Sequence, residues 1–246
     1  MLMLRRRPII LVLLLSTFWS SAAISQEKLE VGLELVLLAD ATGSIDDAEI
    51  LFQREGYAKA ITNPDVISAI TTSIYGKIAV TYVEWGDSGS QDIVVGWQII
   101  DSEESARKFA SDLLLPPRKA RGYNAIGSAL LFGKNLIENN EIWSFRQVID
   151  ISADSANNWS GPPIEFARDE VVSANITING LAVLCRYCSG RPNNYDLEAA
   201  FSELIIGGNG AFVITADNSD TFANAVRKKL ILEIADNPAF KNPPLE

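Results

Sequence analysis

Histidine is absent from this sequence of 246 residues, and its absence excludes several classes of protein. Without an imidazole there is no Ser-His-Asp or Cys-His nucleophile system and no zinc site with histidine ligands. Positive charge is also sparse, because 21 lysines and arginines stand against 31 aspartates and glutamates, for a formal net charge of −10. This balance argues against nucleic acid or an anionic membrane surface as a partner. It is compatible with divalent cations, although the same charge also keeps many exported proteins soluble.

Cysteine is almost as rare, since Cys185 and Cys188 are the only two in the chain. In an exported protein, two cysteines at this spacing favour a local disulfide that pins a loop. The alternative is a CxxC redox centre, but thioredoxin-like sites place that motif at a helix N-terminus just after the first strand of their fold. Metal binding by this pair alone would leave the site two ligands short.

The first 25 residues predict a signal peptide. Three consecutive arginines precede an uncharged apolar run from Ile9 through Trp19, and small residues then allow cleavage after Ala23 or Ser25. The run is short for a full membrane span, so a retained anchor is the alternative. We expect a periplasmic or secreted protein with no stable membrane insertion once the leader has been removed.

No linker-like stretch divides the remaining chain, whose length suits one large domain. We expect a short N-terminal segment over residues 26–32, one domain over 33–235 and a polar, proline-containing tail over 236–246. Within the domain, predicted strands alternate with predicted helices, which favours an α/β fold with a doubly wound, mainly parallel sheet and helices on both faces. The turn Gly86–Ser90 predicts a hairpin and therefore one antiparallel edge strand.

The stretch Leu33–Ser44 predicts a buried strand that delivers oxygen ligands into a loop. An apolar run ends at Asp40, and the hydroxyls of Thr42 and Ser44 follow at alternate positions. One carboxylate and two hydroxyls suit Mg²⁺, Mn²⁺ or Ca²⁺. In the alternative interpretation, Thr42 or Ser44 is the N-cap of the next helix, and the acids that follow lie against the helix dipole.

A second acid has the same relation to a later strand. The run Val148–Asp154 predicts a strand followed by its own aspartate. Doubly wound sheets bind ligands beyond the carboxyl ends of the strands, where the winding direction changes, here between the first and fourth strands. Asp40 and Asp154 follow those two strands, so we expect them at the same place.

Three segments carry a resemblance to a known family. Asp40-Ala41-Thr42-Gly43-Ser44 resembles the metal-ion-dependent adhesion site (MIDAS) of von Willebrand factor type A domains, whose first loop has the pattern Asp-x-Ser-x-Ser. Gly122–Leu130 resembles the second loop and its helix, with Asn124 in place of the usual threonine, and Val148–Asp154 resembles the fourth strand. From about Leu33 to Ala235, the chain is similar to the bacterial exported DUF1194-type proteins of uncharacterised function.

The resemblance implies a site and a function. Asp40, Thr42, Ser44 and Asn124 would hold a divalent cation directly or through water, with Asp154 close by, through water. Mg²⁺ is the expected ion, with Mn²⁺ and Ca²⁺ as alternatives, and calcium sites readily accept a carbonyl oxygen such as that of Asn124. A partner's Asp or Glu carboxylate would fill the open coordination position. The implied protein is an adhesion-type binding module and not an enzyme.

The competing class is a metal-assisted hydrolase of phosphoryl or acyl groups, with Asp40 as nucleophile. A haloacid-dehalogenase type of phosphatase needs a second acid at position 42, where this chain has Thr42, and no catalytic base is evident. A dinucleotide-binding site is a third alternative, but the first strand-helix turn lacks the Gly-x-Gly-x-x-Gly pattern.

Two further expectations concern the loops at this edge of the sheet. Trp159, in the long loop after Asp154, would either form part of a docking surface or pack over the sheet edge. Glu84 and Asp87 would reach the same edge if their strand is parallel to the first. They would then be able to join the groups around the cation, but we expect ordinary solvated turn residues.

Overall fold

The computed structural model describes residues 28–184, 196–216 and 219–235. The strands in these ranges are β1 (Leu29–Asp40), β2 (Ile78–Trp85), β3 (Gln91–Ile100), β4 (Ile142–Ala153), β5 (Thr177–Val183) and β6 (Val213–Ala216). The α-helices are α1 (Asp47–Ile61), α2 (Pro64–Thr72), α3 (Glu103–Leu114), α4 (Ile126–Glu138), α5 (Ile164–Ser173), α6 (Leu197–Ala200) and α7 (Ser219–Ala235). A π-helical turn, Phe201–Ile205, follows α6.

The described strands form a single sheet in the order β3-β2-β1-β4-β5-β6. All neighbours are parallel except β2 and β3, which form the predicted antiparallel hairpin at one edge. β1 lies between β2 and β4, and it is apolar over most of its length because helices cover it on both faces. The predicted doubly wound α/β fold is confirmed.

Alternate residues of β1 enter two separate cores, as the two-residue period of a strand requires. Leu35 and Leu37 pack with residues of α1, α3 and α7, including Tyr57, Phe109 and Phe222. Val36 and Leu38 pack on the opposite face with residues of α4 and α5, including Leu130, Ala167 and Val171. The sheet is therefore held from both sides, which fixes the position of its carboxyl edge.

The start of α1 decides between the two interpretations of the first loop. Asp46 is the N-cap, and its side chain accepts hydrogen bonds from the backbone N–H groups of Ala48 and Glu49. Glu49 closes a capping box by accepting from the N–H of Asp46 at 2.8 Å. The interpretation of Thr42 or Ser44 as the cap is therefore wrong, and neither hydroxyl is needed by the helix.

Several boundaries differ from those that the sequence indicates. β1 begins at Leu29 and β4 at Ile142, because the two strands pair with each other before the apolar run begins. Residues 195–204 have the sequence pattern of one helix, but their described part forms the short α6 and the π-helical turn that follows it. Backbone pairing and packing, which hydrophobic pattern does not reveal, set these ends.

Some predictions concern residues outside the described ranges. The signal peptide over residues 1–25, the tail over 236–246 and the disulfide between Cys185 and Cys188 all lie there. Among the helices that are described, none combines the length and the apolar character needed to cross a membrane.

Candidate metal centre

Asp40 ends the central strand and is almost completely buried, with 2% of its surface exposed. One carboxylate oxygen, Oδ1, accepts a hydrogen bond from the backbone N–H of Thr42 at 2.8 Å. The other oxygen, Oδ2, is buried and has no hydrogen-bond partner among the described residues. A buried carboxylate oxygen without a donor is costly, so Oδ2 is a natural position for a cation.

The two hydroxyls of the first loop turn toward the same region. Thr42 Oγ1 lies 3.1 Å from Ser44 Oγ, and Thr42 is buried whereas Ser44 is exposed. The Ser44 side chain also lies close enough to Asp154 to lower its pKa, and the Thr42 side chain does the same to the pKa of Asp40. The structure thus brings together four of the five predicted ligands from the ends of β1 and β4.

The two acids are electrostatically coupled. Burial, and secondly the nearby charge of Asp154, raise the pKa of Asp40 to about 7. Burial likewise raises the pKa of Asp154, while the hydrogen bond from Ser44 lowers it. Two carboxyl groups in one buried place repel each other when both are ionised, and a divalent cation would relieve this repulsion.

The loop that carries Asn124 is connected to both of the other loops. The backbone N–H of Gly43 donates to the carbonyl oxygen of Gly122 at 2.8 Å, which joins the first loop to the second. Asn124 Nδ2 donates to Ser155 Oγ at 2.9 Å, directly after Asp154 in the chain. Among the described residues, Oδ1 is therefore the side-chain atom of Asn124 that remains for a cation.

Arg118 holds the first loop in place through hydrogen bonds to its backbone, and this role was not predicted from the sequence. Its side chain is 8% exposed and donates to the carbonyl oxygens of Ala41 (2.7 Å), Thr42 (3.0 Å) and Ile45 (2.7 Å). The remaining donors reach Ala120 O at 3.2 Å and Asp47 Oδ1 at 3.1 Å. All five N–H groups of the guanidinium have a partner, so this planar, rigid group fixes the conformation of the loop.

Glu49 is another residue whose role near the site was not anticipated. Its side chain is 8% exposed, and Oε1 has no hydrogen-bond partner among the described residues. It lines a small cavity of about 20 Å³ together with Asp40 and Asp154. Burial raises the pKa of Glu49, although the N–H of Asp46 lowers it. From the sequence, Glu49 was expected only as one of the acids that lie against the dipole of α1, and nothing in the sequence indicates that it is buried.

The expectation for Glu84 is wrong, whereas Asp87 does lie in a turn. Glu84 is fully buried in β2, next to Ala39 of β1, and pairs with Arg54 at 2.7 Å. Asp87 is partly exposed, and its pKa is lowered by hydrogen bonds from Ser160 and from the N–H of Ser88. Glu84 is buried because its strand is the inner neighbour of β1, with β3 outside it.

The donor set fits a hard divalent cation. Among the described residues, no three Asp, Glu or Cys side chains are arranged to hold a metal ion. The candidate centre contains two acids, and hydroxyl and amide oxygens make up the rest. An all-oxygen set of this kind suits Mg²⁺, Mn²⁺ or Ca²⁺.

Comparison with solved structures defines the class of fold. The chain is similar to a von Willebrand factor type A structure from Catenulispora acidiphila, with 14% identity, a TM-score of 0.54 and coverage of 83% of this chain and 43% of that one. It is similar to the pilus adhesin SpaC from Lactobacillus rhamnosus GG in the open conformation (12% identity, TM-score 0.60, 85% and 31%). A third similar structure is proximal thread matrix protein 1 from the mussel byssus with a zinc-occupied MIDAS motif (16% identity, TM-score 0.57, 85% and 50%).

The fold is therefore that of a von Willebrand factor type A domain. This chain spans about a third to a half of the three structures described above. A family model described as a protein of unknown function, DUF1194, matches residues 30–238, and the chain belongs to this family. No curated protein matches it.

Proposed function

We propose that this protein is an exported, divalent-cation-dependent module that binds another protein through a MIDAS-like centre. The observation that carries the proposal is the buried Oδ2 of Asp40, which has no hydrogen-bond partner within the described ranges and lies beside the hydroxyls of the first loop and Asp154. Asp40, Thr42, Ser44 and Asn124 would hold the ion directly or through water, and Asp154 through water. Mg²⁺ is the expected ion, with Mn²⁺ and Ca²⁺ as alternatives.

The charge count explains why such a centre would bind a partner. In this arrangement Asp40 is the only carboxylate that touches the ion, and water separates Asp154 from it, so the ion keeps positive charge among otherwise neutral oxygens. A carboxylate from an Asp or Glu of the partner would supply the missing charge at an open coordination position. The bound ion would thus supply a Lewis-acidic contact, while the loops of this chain orient it and exclude water from its inner side.

The comparisons support the proposal at a coarser level. The similar structures include a pilus adhesin and a mussel byssus protein with zinc in a MIDAS motif, so the fold supports divalent-cation sites elsewhere. Export is proposed from the arginines and the apolar run at residues 5–19. The acidic composition argues against nucleic acid as the partner.

The test is the effect of cations on thermal unfolding of the purified protein. Mg²⁺ or Mn²⁺ added after chelation should raise the Tm, because an ion that binds only the folded state stabilises it by mass action. Asp40→Asn should abolish the shift. Asp169→Asn, which changes an acid that is 72% exposed on α5, is the matched control and should keep it.

Two outcomes would contradict the proposal. A cation-dependent shift that survives Asp40→Asn would place the ion elsewhere. Turnover of a generic phosphate ester that is lost in Asp40→Asn but kept in Asp169→Asn would favour the hydrolase instead.

A further inference from the structure

A groove lies between the edge strand β6 and helix α7. Its volume is about 680 Å³, which is within the range of clefts that bind ligands. The lining is mainly apolar and includes Ile214 of β6 with Ile231 and Leu232 of α7. These three side chains are only half-buried, so the groove combines exposed apolar surface with the size of a binding site.

Strand β6 presents backbone groups to this groove. Among the described strands its one neighbour is β5, and the two are parallel. The carbonyl oxygens of Phe212 and Ala216 accept hydrogen bonds from N–H groups in and just after β5. Because successive residues of a strand direct their N–H and C=O groups to opposite edges, those of Val213 and Thr215, which line the groove, point away from β5. An edge of this kind is able to pair with a further strand.

One face of α7 forms the opposite wall of the groove. The lining residues of this helix include Thr221, Ala225, Lys228, Leu232 and Ala235, which recur at spacings of three or four residues and therefore share one face. A groove with an edge strand on one side and a helix on the other suits an extended peptide. The main chain of the peptide would pair with the strand, and alternate side chains would meet the helix.

The charges of the groove indicate which peptide fits. Arg227 pairs with Asp65 of α2 at 2.8 Å, whereas Lys228 is exposed and has no ion-pair partner among the described residues. Glu198 belongs to α6, on the other face of the sheet, and its Oε2 accepts from Thr215 Oγ1 at 2.6 Å. The α7 side of the groove therefore has an available positive charge although the protein has a net charge of −10. An acid fits on this side and would be repelled by Glu198 on the other.

We infer that this groove binds an extended segment of a partner protein, which adds a strand to the sheet next to β6. The segment pairs with the outward backbone groups of Val213 and Thr215. Its side chains on the α7 side include an aspartate or glutamate opposite Lys228. Apolar residues two positions from this acid cover Ile214 and Leu232. The segment thus has the alternating pattern of a strand, with an acid and apolar residues on one face.

This surface is separate from the candidate metal centre, and the inference goes beyond the function proposed above. In the sheet order, β6 lies three places from β1. Trp159, by contrast, lies beside the candidate metal centre, because its backbone N–H donates to the carbonyl oxygen of Asn124 at 2.7 Å. Its side chain is 70% exposed, which does not fit the alternative of packing over the sheet edge. Binding in the groove requires no cation.

The test measures the fluorescence anisotropy of a fluorescein-labelled, end-blocked peptide, Thr-Val-Thr-Glu-Thr-Val-Thr, in which the glutamate and the valines share one face. Matched peptides carry glutamine or lysine in place of the glutamate. Two more carry N-methyl groups on one or the other set of alternate residues. Chelator is present throughout, so that the candidate metal centre takes no part. The proteins are the wild type, Lys228→Glu and Val213→Pro, and Lys108→Glu is the control, because Lys108 is 65% exposed in the middle of α3.

The wild type should bind the glutamate peptide about fivefold more tightly than the glutamine peptide, as expected for a partly exposed ion pair. Lys228→Glu should reverse the preference in favour of the lysine peptide, and Lys108→Glu should retain the wild-type preference. One of the two N-methylated peptides should lose binding, because its methyl groups replace the N–H groups that face β6. Val213→Pro should weaken binding, since proline removes an outward N–H of the edge strand.

Four outcomes would overturn the inference. The first is no measurable binding of the glutamate peptide, and the second is an equal affinity for the glutamate and glutamine peptides or an unchanged preference in Lys228→Glu. The third is binding that both N-methylated peptides retain. The fourth is a wild type that sediments as a dimer while Val213→Pro sediments as a monomer, because a second copy of the chain would then occupy the edge. All four leave the proposed function intact, since the cation-dependent Tm tests it separately.

Discussion

Arg118 Nη2 donates to the carbonyl oxygen of Ala41 at 2.7 Å, across 77 positions of the chain. Ala41 lies between Asp40 and Thr42, and the same nitrogen reaches Thr42 O at 3.0 Å. The guanidinium of Arg118, from the proline-containing loop before Asn124, therefore fixes the conformation of the loop that carries the Thr42 and Ser44 hydroxyls. This contact orients candidate ligands without touching the position of the ion.

We predict that Arg118→Lys weakens cation binding about 10- to 100-fold, as the loss of an orienting contact behind metal ligands commonly does. A lysine ammonium has three donors around one point and cannot reproduce the five bonds of the planar fork. Calorimetric titration with Mn²⁺ measures the effect. Arg107→Lys is the control, because Arg107 is 68% exposed and pairs with Glu103 on α3. Equal cation affinities for both variants would show that Arg118 does not orient the ligands of the cation.

Gly127 lies in the first turn of α4, where the helix passes close to the Trp159 loop. A Cβ added there would lie 2.2 Å from the carbonyl oxygen of Pro162, which is backbone and cannot move aside easily. Gly127→Ala should therefore destabilise the protein by about 1–3 kcal/mol, although alanine normally favours a helix. Urea unfolding measures the change. Gly89→Ala is the control, because its Cβ would have no neighbour within 4 Å, and a stability loss equal to that of Gly127→Ala would refute the steric explanation.

The positions of Asp40 and Asp154 were predictable because they depend on the backbone. An apolar run must be a buried strand, parallel strands end at one edge, and the winding direction changes between the first and fourth strands. Asp46 as the N-cap was not predicted, since Thr42, Ser44 and Asp46 are all suitable capping residues. Only the actual start of α1 distinguishes them.

The pairing of buried polar side chains could not be predicted from the sequence for a different reason. Arg54 meets Glu84 across 30 positions, and Arg118 meets Ala41 across 77. A long basic side chain has the same sequence signature whether it is solvated or extends into the protein, because its pairing depends on tertiary neighbours. Glu84 was expected to be a solvated turn residue because nothing near it in the sequence indicates its distant partner Arg54, although it lies in a covered strand.

Asp150 gives a prediction about pH. It is fully buried in β4, 2.8 Å from Lys229 Nζ, and Lys229 also pairs with Glu233 at 2.7 Å. Burial raises the pKa of Asp150 from 3.8 to about 7, with Lys229 opposing the rise. Between these two pH values the unfolded chain loses this proton and the folded protein keeps it, so stability falls as the pH rises.

Asp150→Asn removes this titration. In chelator, the free energy of unfolding of the wild type should fall more steeply between pH 5 and 7 than that of the variant, by up to about 1.4 kcal/mol per pH unit. Asp40 titrates in both proteins, so its contribution cancels. Urea unfolding at a series of pH values measures the two slopes, and parallel curves would contradict the assignment.

The buried pair of Arg54 and Glu84 gives the last prediction. Their side chains are 4% and 0% exposed, and Arg54 also donates to the carbonyl oxygen of Pro116. Arg54→Met should destabilise the protein by about 3–5 kcal/mol, because it leaves the carboxylate of Glu84 buried without a counter-charge. Adding Glu84→Gln to Arg54→Met should recover part of the loss, since the remaining amide carries no charge. The double-mutant cycle, measured by urea unfolding, should therefore be clearly non-additive. Additive effects would mean that Arg54 acts through Pro116 alone and that the ion pair contributes nothing to the stability of this edge of the sheet.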